Sequence, residues 1–453
     1  MSKLKITDNK DWTEIANCVV DNEPPFTDEE LESVRRDIVR ISNQKIANLK
    51  LDDNSNLLVF PQSLGYHGDD IGKGVIIELS DNQISTNNIM GFVGVNQTQI
   101  DIRSRFAKGK EDYFLHYMLQ KVFSINLFKI KHTTTREPIF DFLLYMFPHF
   151  LKKAVAQGVF KKYRRFEYND ANIRGPIDVS RHIRQNIPFR GTVAYSTRQH
   201  TYDNEHTQLV RHTIEYIRTK AQGAAILNND TDTKNCVGQI VQATPSYNVR
   251  ERQRVINQNL RPVRHPYFSA YTELQKICLQ ILRHESIKYG QEKDKIYGIL
   301  FDGAWLWEEY LNTVLKECGF KHPENKKHTG GIRMFENGDD AIAKNSRRLY
   351  PDFWKDNYIL DAKYKRLDNG VGREDLYQVV SYMYCTKAKN GGFMYPTDKD
   401  TDGENKPYIL AGHGGSMRIY GVKVQHNGDF KGYVEAMRNE EGRIKEAVTD
   451  KSI

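Results

Sequence analysis

The chain has 453 residues, room for two or three domains, and its 39% hydrophobic and 11% aromatic content excludes wholesale disorder. The net charge of +8 is a mild basic excess, informative only where it clusters. Five scattered cysteines without paired spacing exclude a disulfide framework and a zinc site. No apolar run reaches the length of a membrane span and no signal-peptide core opens the chain, so a soluble cytoplasmic protein is expected.

Residues 1–125 combine a helical start at 28–43 with β-prone runs at 57–60, 75–79, 89–95 and 99–102, punctuated by Gly, Asn and Asp. This predicts a small antiparallel β-rich domain. Residues 65–74 are expected to form an exposed tip or loop between two of these runs. Within it, Gly68 to Gly74 fails as a phosphate-binding loop: the first gap is one residue short, and Gly74 replaces the hydroxyl residue that would meet Mg²⁺.

His132 to Pro138 reads as a linker, after which residues 139–157, 208–220 and 274–283 have helical patterns and 228–235 is a polar loop. The region 126–295 is therefore mainly helical with a few short strands. Between residues 161 and 190, Lys161, Lys162, Arg164, Arg165, Arg174, Arg181, Arg184 and Arg190 face only Glu167, Asp170 and Asp178. A second run holds Arg250, Arg252, Arg254, Arg261 and Arg264 with Glu251 as its sole acid. Interleaved tyrosines and Phe166 suit contact with a phosphate backbone; a solvated face or a protein-partner surface is the alternative. His200, His206 and His212 lack the spacing of a helical metal pair. Gly412 to Ser416 reads as a flexible turn carrying His413.

From residue 296 to 453 helix and strand signals alternate. Residues 304–318 carry an apolar stripe of Ala304, Trp307, Leu311, Val314 and Cys318, with Glu308 at its border and Glu309 on the polar side. Glu308 is a candidate third carboxylate or, equally, a helix-edge glutamate. The most informative stretch follows, from Pro351-Asp352 to Asp361-Ala362-Lys363. Residues 358–363 are β-prone, and alternation puts Asp361 and Lys363 on one face. Asp356-Asn357 is a turn signal, so Asp352 sits on the preceding strand or its end and reaches that face. Two hard oxygen ligands suit Mg²⁺ or Mn²⁺, and a lysine can orient or help deprotonate attacking water. The bare pattern is weak, and a hairpin with solvated charges is the competing reading. Downstream, 375–382 is an amphipathic helix on which Gln378 and Tyr382 share a face, either to scaffold a site or as plain helix surface.

A helix with Glu308, a strand end with Asp352, a strand with Asp361 and Lys363, then a helix with Gln378: this order resembles the core of the PD-(D/E)xK nucleases. The fold class is α/β, in the sense of a multidomain α+β protein. It comprises a β-rich domain at 1–125, a mainly helical linker or DNA-contacting region at 126–295, and at 296–453 a nuclease domain with a mixed central sheet flanked by helices.

Along most of its length the chain resembles the McrC family, the nuclease component of McrBC-type restriction systems. The similarity runs through Gly91-Phe92-Val93-Gly94-Val95 and Ile102-Arg103-Ser104-Arg105-Phe106, then Arg174-Gly175-Pro176-Ile177 and Tyr202-Asp203-Asn204-Glu205. It is most specific in Leu360-Asp361-Ala362-Lys363-Tyr364 and Asp375-Leu376-Tyr377-Gln378. The resemblance implies a Mg²⁺-dependent (or Mn²⁺-dependent) endonuclease acting on double-stranded, modified DNA. It also implies that the N-terminal part enters a ring of the AAA+ GTPase McrB and stimulates its hydrolysis, while that partner recognises the modified base. Asp352, Asp361 and the backbone carbonyl of Ala362 would hold the metal, Lys363 would serve the attacking water, and Gln378 and Glu308 would complete the set. The loop entering the ring is expected at 65–74. Two other classes remain open: a non-catalytic activator scaffold, and a nuclease that works alone.

Overall fold

The computed structural model describes residues 2–19, 24–51, 55–61, 74–108, 111–123, 138–220, 222–288, 296–323, 331–335, 348–367, 370–399, 406–412, 414–425 and 428–449. The tip expected at 65–74, the linker at 132–138 and His413 lie wholly or mostly outside them. The chain forms two compact units, Met1–Lys131 together with Ser286–Ile453, and His132–Glu285.

In the first unit a five-stranded sheet runs in the order Ser2–Thr7, Thr98–Arg103, Ile89–Val95, Ile296–Asp302, Ser55–Phe60. It is mixed rather than antiparallel. Ser2–Thr7 lies parallel to Thr98–Arg103, and Ile296–Asp302 lies parallel to Ser55–Phe60 but antiparallel to Ile89–Val95. The reason is visible in Ile296–Asp302, whose every residue is buried. Such a strand needs neighbours on both edges and cover on both faces, and it finds them in a sheet whose other members come from the first hundred residues. Gly91 permits the approach: its φ is +126°, and a Cβ there would sit 2.1 Å from the Ile299 carbonyl oxygen. The helix Asp28–Val39 covers this sheet; Thr27 and Glu30 form a capping box at its start, and Val34 and Ile38 join Leu4, Val93 and Ile100 in the core.

A second sheet of the same unit runs Phe353–Lys355, Tyr358–Ala362, Asn390–Thr397, Ser416–Lys423, Tyr408–Ile409. Its first two strands form a hairpin turning through Asp356, at φ +40°, and Asn357. The next two pairings are parallel, and the helix Arg373–Thr386 provides the crossover that a parallel connection requires. The helix Gly303–Leu315 buries Trp307, Leu311 and Val314 as its stripe foretold, although Ala304 is exposed; a short 3₁₀ turn, Lys316–Cys318, finishes the run. The Trp307 indole Nε1 donates to the Met394 carbonyl at 3.2 Å, fastening helix to sheet.

Tyr364 ties the two sheets' regions together. Its hydroxyl lies 2.9 Å from Ser104 Oγ, its ring meets Phe106 edge-on at 5.4 Å, and Gly303 leaves it space. A Cβ on Gly303 would fall 2.7 Å from Tyr364 Cε1. Gly303→Ala is therefore expected to destabilise the protein by about 1–3 kcal/mol through overpacking, despite alanine's better helix propensity. Denaturant unfolding checks this; an unchanged or higher midpoint would refute the tight fit.

The second unit is helical, with Pro138–Val155, Glu205–Arg218, Thr231–Ala243 and Ala270–Lys288 as its longer helices. It also carries a two-stranded ribbon longer than the short strands expected there: Lys162–Asp170 pairs antiparallel with Val193–Thr201, nine residues each. The ribbon escapes an apolar-alternation reading because both strands are rich in polar residues and Lys162–Asp170 is exposed or half-exposed throughout. Cross-strand stacking holds it instead, Tyr163 on His200 at 4.6 Å and Tyr168 on Tyr195 at 5.4 Å.

Candidate active site

The hairpin register pairs Phe353 with Leu360, which sets Asp352 alongside Asp361 at the strand ends. Asp361 is 2% exposed. The Asp352 Oδ2 accepts the backbone N–H of Ala362 at 2.8 Å. In an extended strand a residue's N–H and C=O leave by the same edge, so the Ala362 carbonyl also faces the Asp352 side. Lys363 stands just beyond the strand rather than in it, yet its N–H donates to Met394 at 2.9 Å and prolongs the ladder. Alternation then holds as expected, and the Lys363 ammonium lies 2.8 Å from Asp361 Oδ2.

Helix Arg373–Thr386 supplies the opposite wall. Gln378 Oε1 is 3.5 Å from Lys363 Nζ, and Gln378 Nε2 donates to the Tyr382 hydroxyl at 2.8 Å, one turn along. Glu308 approaches from helix Gly303–Leu315. Its Oε1 lies 3.7 Å from His322 Nε2, while His322 Nδ1 donates to the Asp352 carbonyl at 2.7 Å and its ring stacks on Phe353. The structure thus brings Asp352, Asp361, Ala362, Lys363, Gln378 and Glu308 to one place.

The electrostatics follow from burial and crowding. Burial, then the Glu308 charge, pushes Asp352 up to about 7. Burial, then the Asp352 charge, pushes Asp361 up to about 8. Burial works against the charge on Lys363, but Asp361 and Asp375 outweigh it and hold the ammonium above its ordinary value. Burial likewise opposes charge on His322, yet hydrogen bonding to Glu309 and the Glu308 charge raise it to about 9. Two neighbouring buried carboxylates repel, and a cation between them relieves that repulsion. Asp361 Oδ2 is shut away from water, and its neighbour is the Lys363 ammonium at 2.8 Å. A hard-oxygen pair of this kind fits Mg²⁺, which takes one or two carboxylates and keeps several waters. Among the described residues no group of three or more His, Cys, Asp or Glu side chains is placed to hold a metal. Glu308 acts on Asp352 by its charge and meets His322.

Two residues at the site were not singled out from sequence. His322 carries no motif. Asp375 enters there only as the first residue of the Asp375-Leu376-Tyr377-Gln378 stretch, with no role of its own, although it lies three residues before Gln378 and hence on the same face. Its Oδ1 is 3.1 Å from Lys363 Nζ and its Oδ2 2.6 Å from Lys365 Nζ.

In the second unit the basic residues divide. Arg181 is structural, reaching Glu167 at 2.7 Å and the carbonyls of Tyr168 and Tyr195 at 3.0 and 2.6 Å. Arg165 pairs with Asp178 at 3.5 Å, and Arg254 with Glu251 at 2.6 Å. Close in sequence to Arg181, Ile183, Ile187 and Phe189 are 53, 68 and 67% exposed. His200 stacks, His206 bonds Asn259 at 2.7 Å, and His212 is buried, so the three histidines have separate surroundings.

Residues 84–396 match the model of a family described as McrBC 5-methylcytosine restriction system component. No curated protein matches the chain significantly. Among solved structures, the chain is similar to one in a refined half-complex from the tetradecameric assembly of Thermococcus gammatolerans McrB AAA+ hexamers with bound McrC. That match has 14% identity and a TM-score of 0.49, and covers 98% of this chain and 100% of that one. A cryo-EM structure of the McrBC complex from the same organism matches at 14% identity and a TM-score of 0.35, covering 72% of this chain and 90% of that one.

Proposed function

The chain belongs to the family of McrBC 5-methylcytosine restriction system components, and from that premise we propose that it is the DNA-cleaving subunit of such a system. The observation that carries this reading is the convergence of Asp352, Asp361 and Lys363 within a few ångströms, with Gln378 behind the lysine. Folding alone does not ask for two buried, mutually repelling carboxylates beside an ammonium.

On this reading Asp352, Asp361 and the Ala362 carbonyl hold Mg²⁺, or Mn²⁺ in its place. The ion would activate a water and offset charge building on the scissile phosphate. Lys363, kept charged by its acidic neighbours, donates hydrogen bonds to the attacking water or to a phosphate oxygen. Gln378 fixes the end of that lysine and is itself fixed by Tyr382. His322 bridges Glu308 and the Asp352 backbone, so the helix sets the carboxylate's position. The substrate is double-stranded DNA. The partner is a McrB-like AAA+ GTPase ring, in keeping with the half-complex of McrB AAA+ hexamers with bound McrC. The exposed apolar and basic ribbon region of the second unit is suited to one of these macromolecules.

Cleavage of methylated DNA by the purified chain is expected only with the AAA+ partner, its nucleotide and Mg²⁺ all present, and EDTA should abolish it. Lys363→Met should slow that cleavage by about 100-fold or more. Wild-type cleavage by Lys363→Met would point to an activator scaffold with a dispensable site. Cutting of plain DNA by the chain alone, without nucleotide, would point to a solitary nuclease.

A further inference from the structure

Lys363 offers three donors, and three acceptors surround it: Asp361 Oδ2 at 2.8 Å, Asp375 Oδ1 at 3.1 Å and Gln378 Oε1 at 3.5 Å. The first belongs to the strand. The other two lie three residues apart on helix Arg373–Thr386 and so present one face. The Asp375 carboxylate is held on both sides, because its second oxygen takes Lys365 Nζ at 2.6 Å. It also stands in the first helical turn, where unpaired backbone N–H groups favour a negative charge.

We infer that Asp375 is a positioning residue that shares the Lys363 ammonium with Asp361, so that a metal can draw the Asp361 carboxylate away from the lysine. The inference rests on the metal-dependent reading above. Lys363 Nζ lies 2.8 Å from Asp361 Oδ2, so an incoming cation must displace the ammonium, and it must do so against the whole of the lysine's attraction where Asp361 is the only anionic neighbour. With Asp375 opposite, the attraction is divided, and Lys363 sits between the two carboxylates. Gln378 cannot replace Asp375 in this, because a neutral amide oxygen attracts the ammonium far less than a carboxylate. Lys365 keeps Asp375 from turning away. The competing account gives Asp375 only the duty of stabilising the helix start, which affects melting but not metal affinity.

Calorimetric Mg²⁺ titration of the full chain separates the two. Asp375→Asn should raise the Mg²⁺ Kd about tenfold, the size usual for loss of an outer-sphere partner. In a Lys363→Met background the competitor is gone, so adding Asp375→Asn should change the Kd by no more than about twofold. The double variant also avoids leaving an unbalanced lysine, so it reports even where Asp375→Asn alone folds poorly. An Asp375→Asn Kd matching wild type overturns the inference, as does a tenfold loss that persists without Lys363. Asp361→Ala serves as the control. Wild-type binding that Asp361→Ala abolishes and Asp375→Asn leaves intact overturns this inference alone. Absence of wild-type binding, or binding indifferent to Asp361→Ala, overturns the metal reading and this inference with it.

Discussion

Asp361→Ala is expected to abolish DNA cleavage while leaving DNA binding and stimulation of the partner's hydrolysis nearly intact. The variant removes one of two side-chain oxygens at the proposed metal position, and Asp352 is already committed to the Ala362 N–H on one oxygen. Outer-sphere losses typically cost 10- to 100-fold in metal affinity or activity, so loss of a direct ligand should exceed about 100-fold. The lysine keeps Asp375 as an ionic partner, which limits collateral damage to the fold. Stability should move the other way. Burial makes the Asp361 charge unfavourable in the metal-free protein, as its value of about 8 records. Asp361→Asn, which keeps the shape, should therefore melt no lower than wild type in EDTA and still fail to cut. Cleavage assays on methylated duplex DNA, paired with the partner's nucleotide turnover, provide the check. Wild-type cutting by Asp361→Ala would sink the catalytic assignment. Joint loss of cutting and partner stimulation would mean that the substitution disrupts more than chemistry.

The elements around Asp361 were legible in sequence because short-range rules govern them. Strand alternation gave the shared face of Asp361 and Lys363, the Asp356-Asn357 pair gave the hairpin, and an i,i+4 spacing gave the Gln378–Tyr382 contact. Long-range pairing was not legible. Nothing local in Ile296–Asp302 says that it will lie between Ser55–Phe60 and Ile89–Val95, roughly two hundred residues earlier. His322 escaped for the same reason: its role depends on a turn that brings it against Asp352 and Glu308. Asp375 was within reach, since it lies three residues before Gln378 and so shares the face that Tyr382 takes four residues after it. An acid in a first helical turn also has an ordinary explanation, so its position alone does not mark a site. The long ribbon was hidden by its polarity, as aromatic stacking and a buried stretch of only Ala194 to Ser196 support it. Tyr364 shows why these distant parts matter to the site. It follows Lys363 directly, and its hydroxyl meets Ser104, so the end of the strand Thr98–Arg103 helps fix where the strand carrying Asp361 ends.

In the metal-free protein, melting temperature is expected to fall as pH rises from about 6 to about 9, and Mg²⁺ is expected to restore it. The sign follows from the two carboxylates. Asp352 is raised to about 7 by burial and then Glu308, and Asp361 to about 8 by burial and then Asp352, against an ordinary value of 3.8. Between the ordinary and raised values the folded chain retains protons that the unfolded chain has released. Stability therefore drops as pH climbs through that window, with the full penalty above about pH 8. The two carboxylates titrate as a pair, so one broad decline should appear rather than two steps. His322 adds to the slope. Burial opposes its charge, but Glu309 and Glu308 prevail, and the stability it contributes below about 6.5 is lost as pH passes about 9. Mg²⁺ binds the unprotonated carboxylates of the folded chain, and at about 100 times its Kd it contributes roughly 2.7 kcal/mol. Its effect should thus be larger at about pH 8.5 than at about pH 6, where protons compete for the same oxygens. Calorimetry in EDTA and in Mg²⁺ across this range provides the measurement, with the Asp352→Asn/Asp361→Asn double variant beside wild type. In EDTA the variant should show a shallower decline and melt above wild type at the alkaline end, and it should not respond to Mg²⁺. Wild-type and variant curves that decline in parallel, or that Mg²⁺ raises equally, would remove the case for a cation between Asp352 and Asp361.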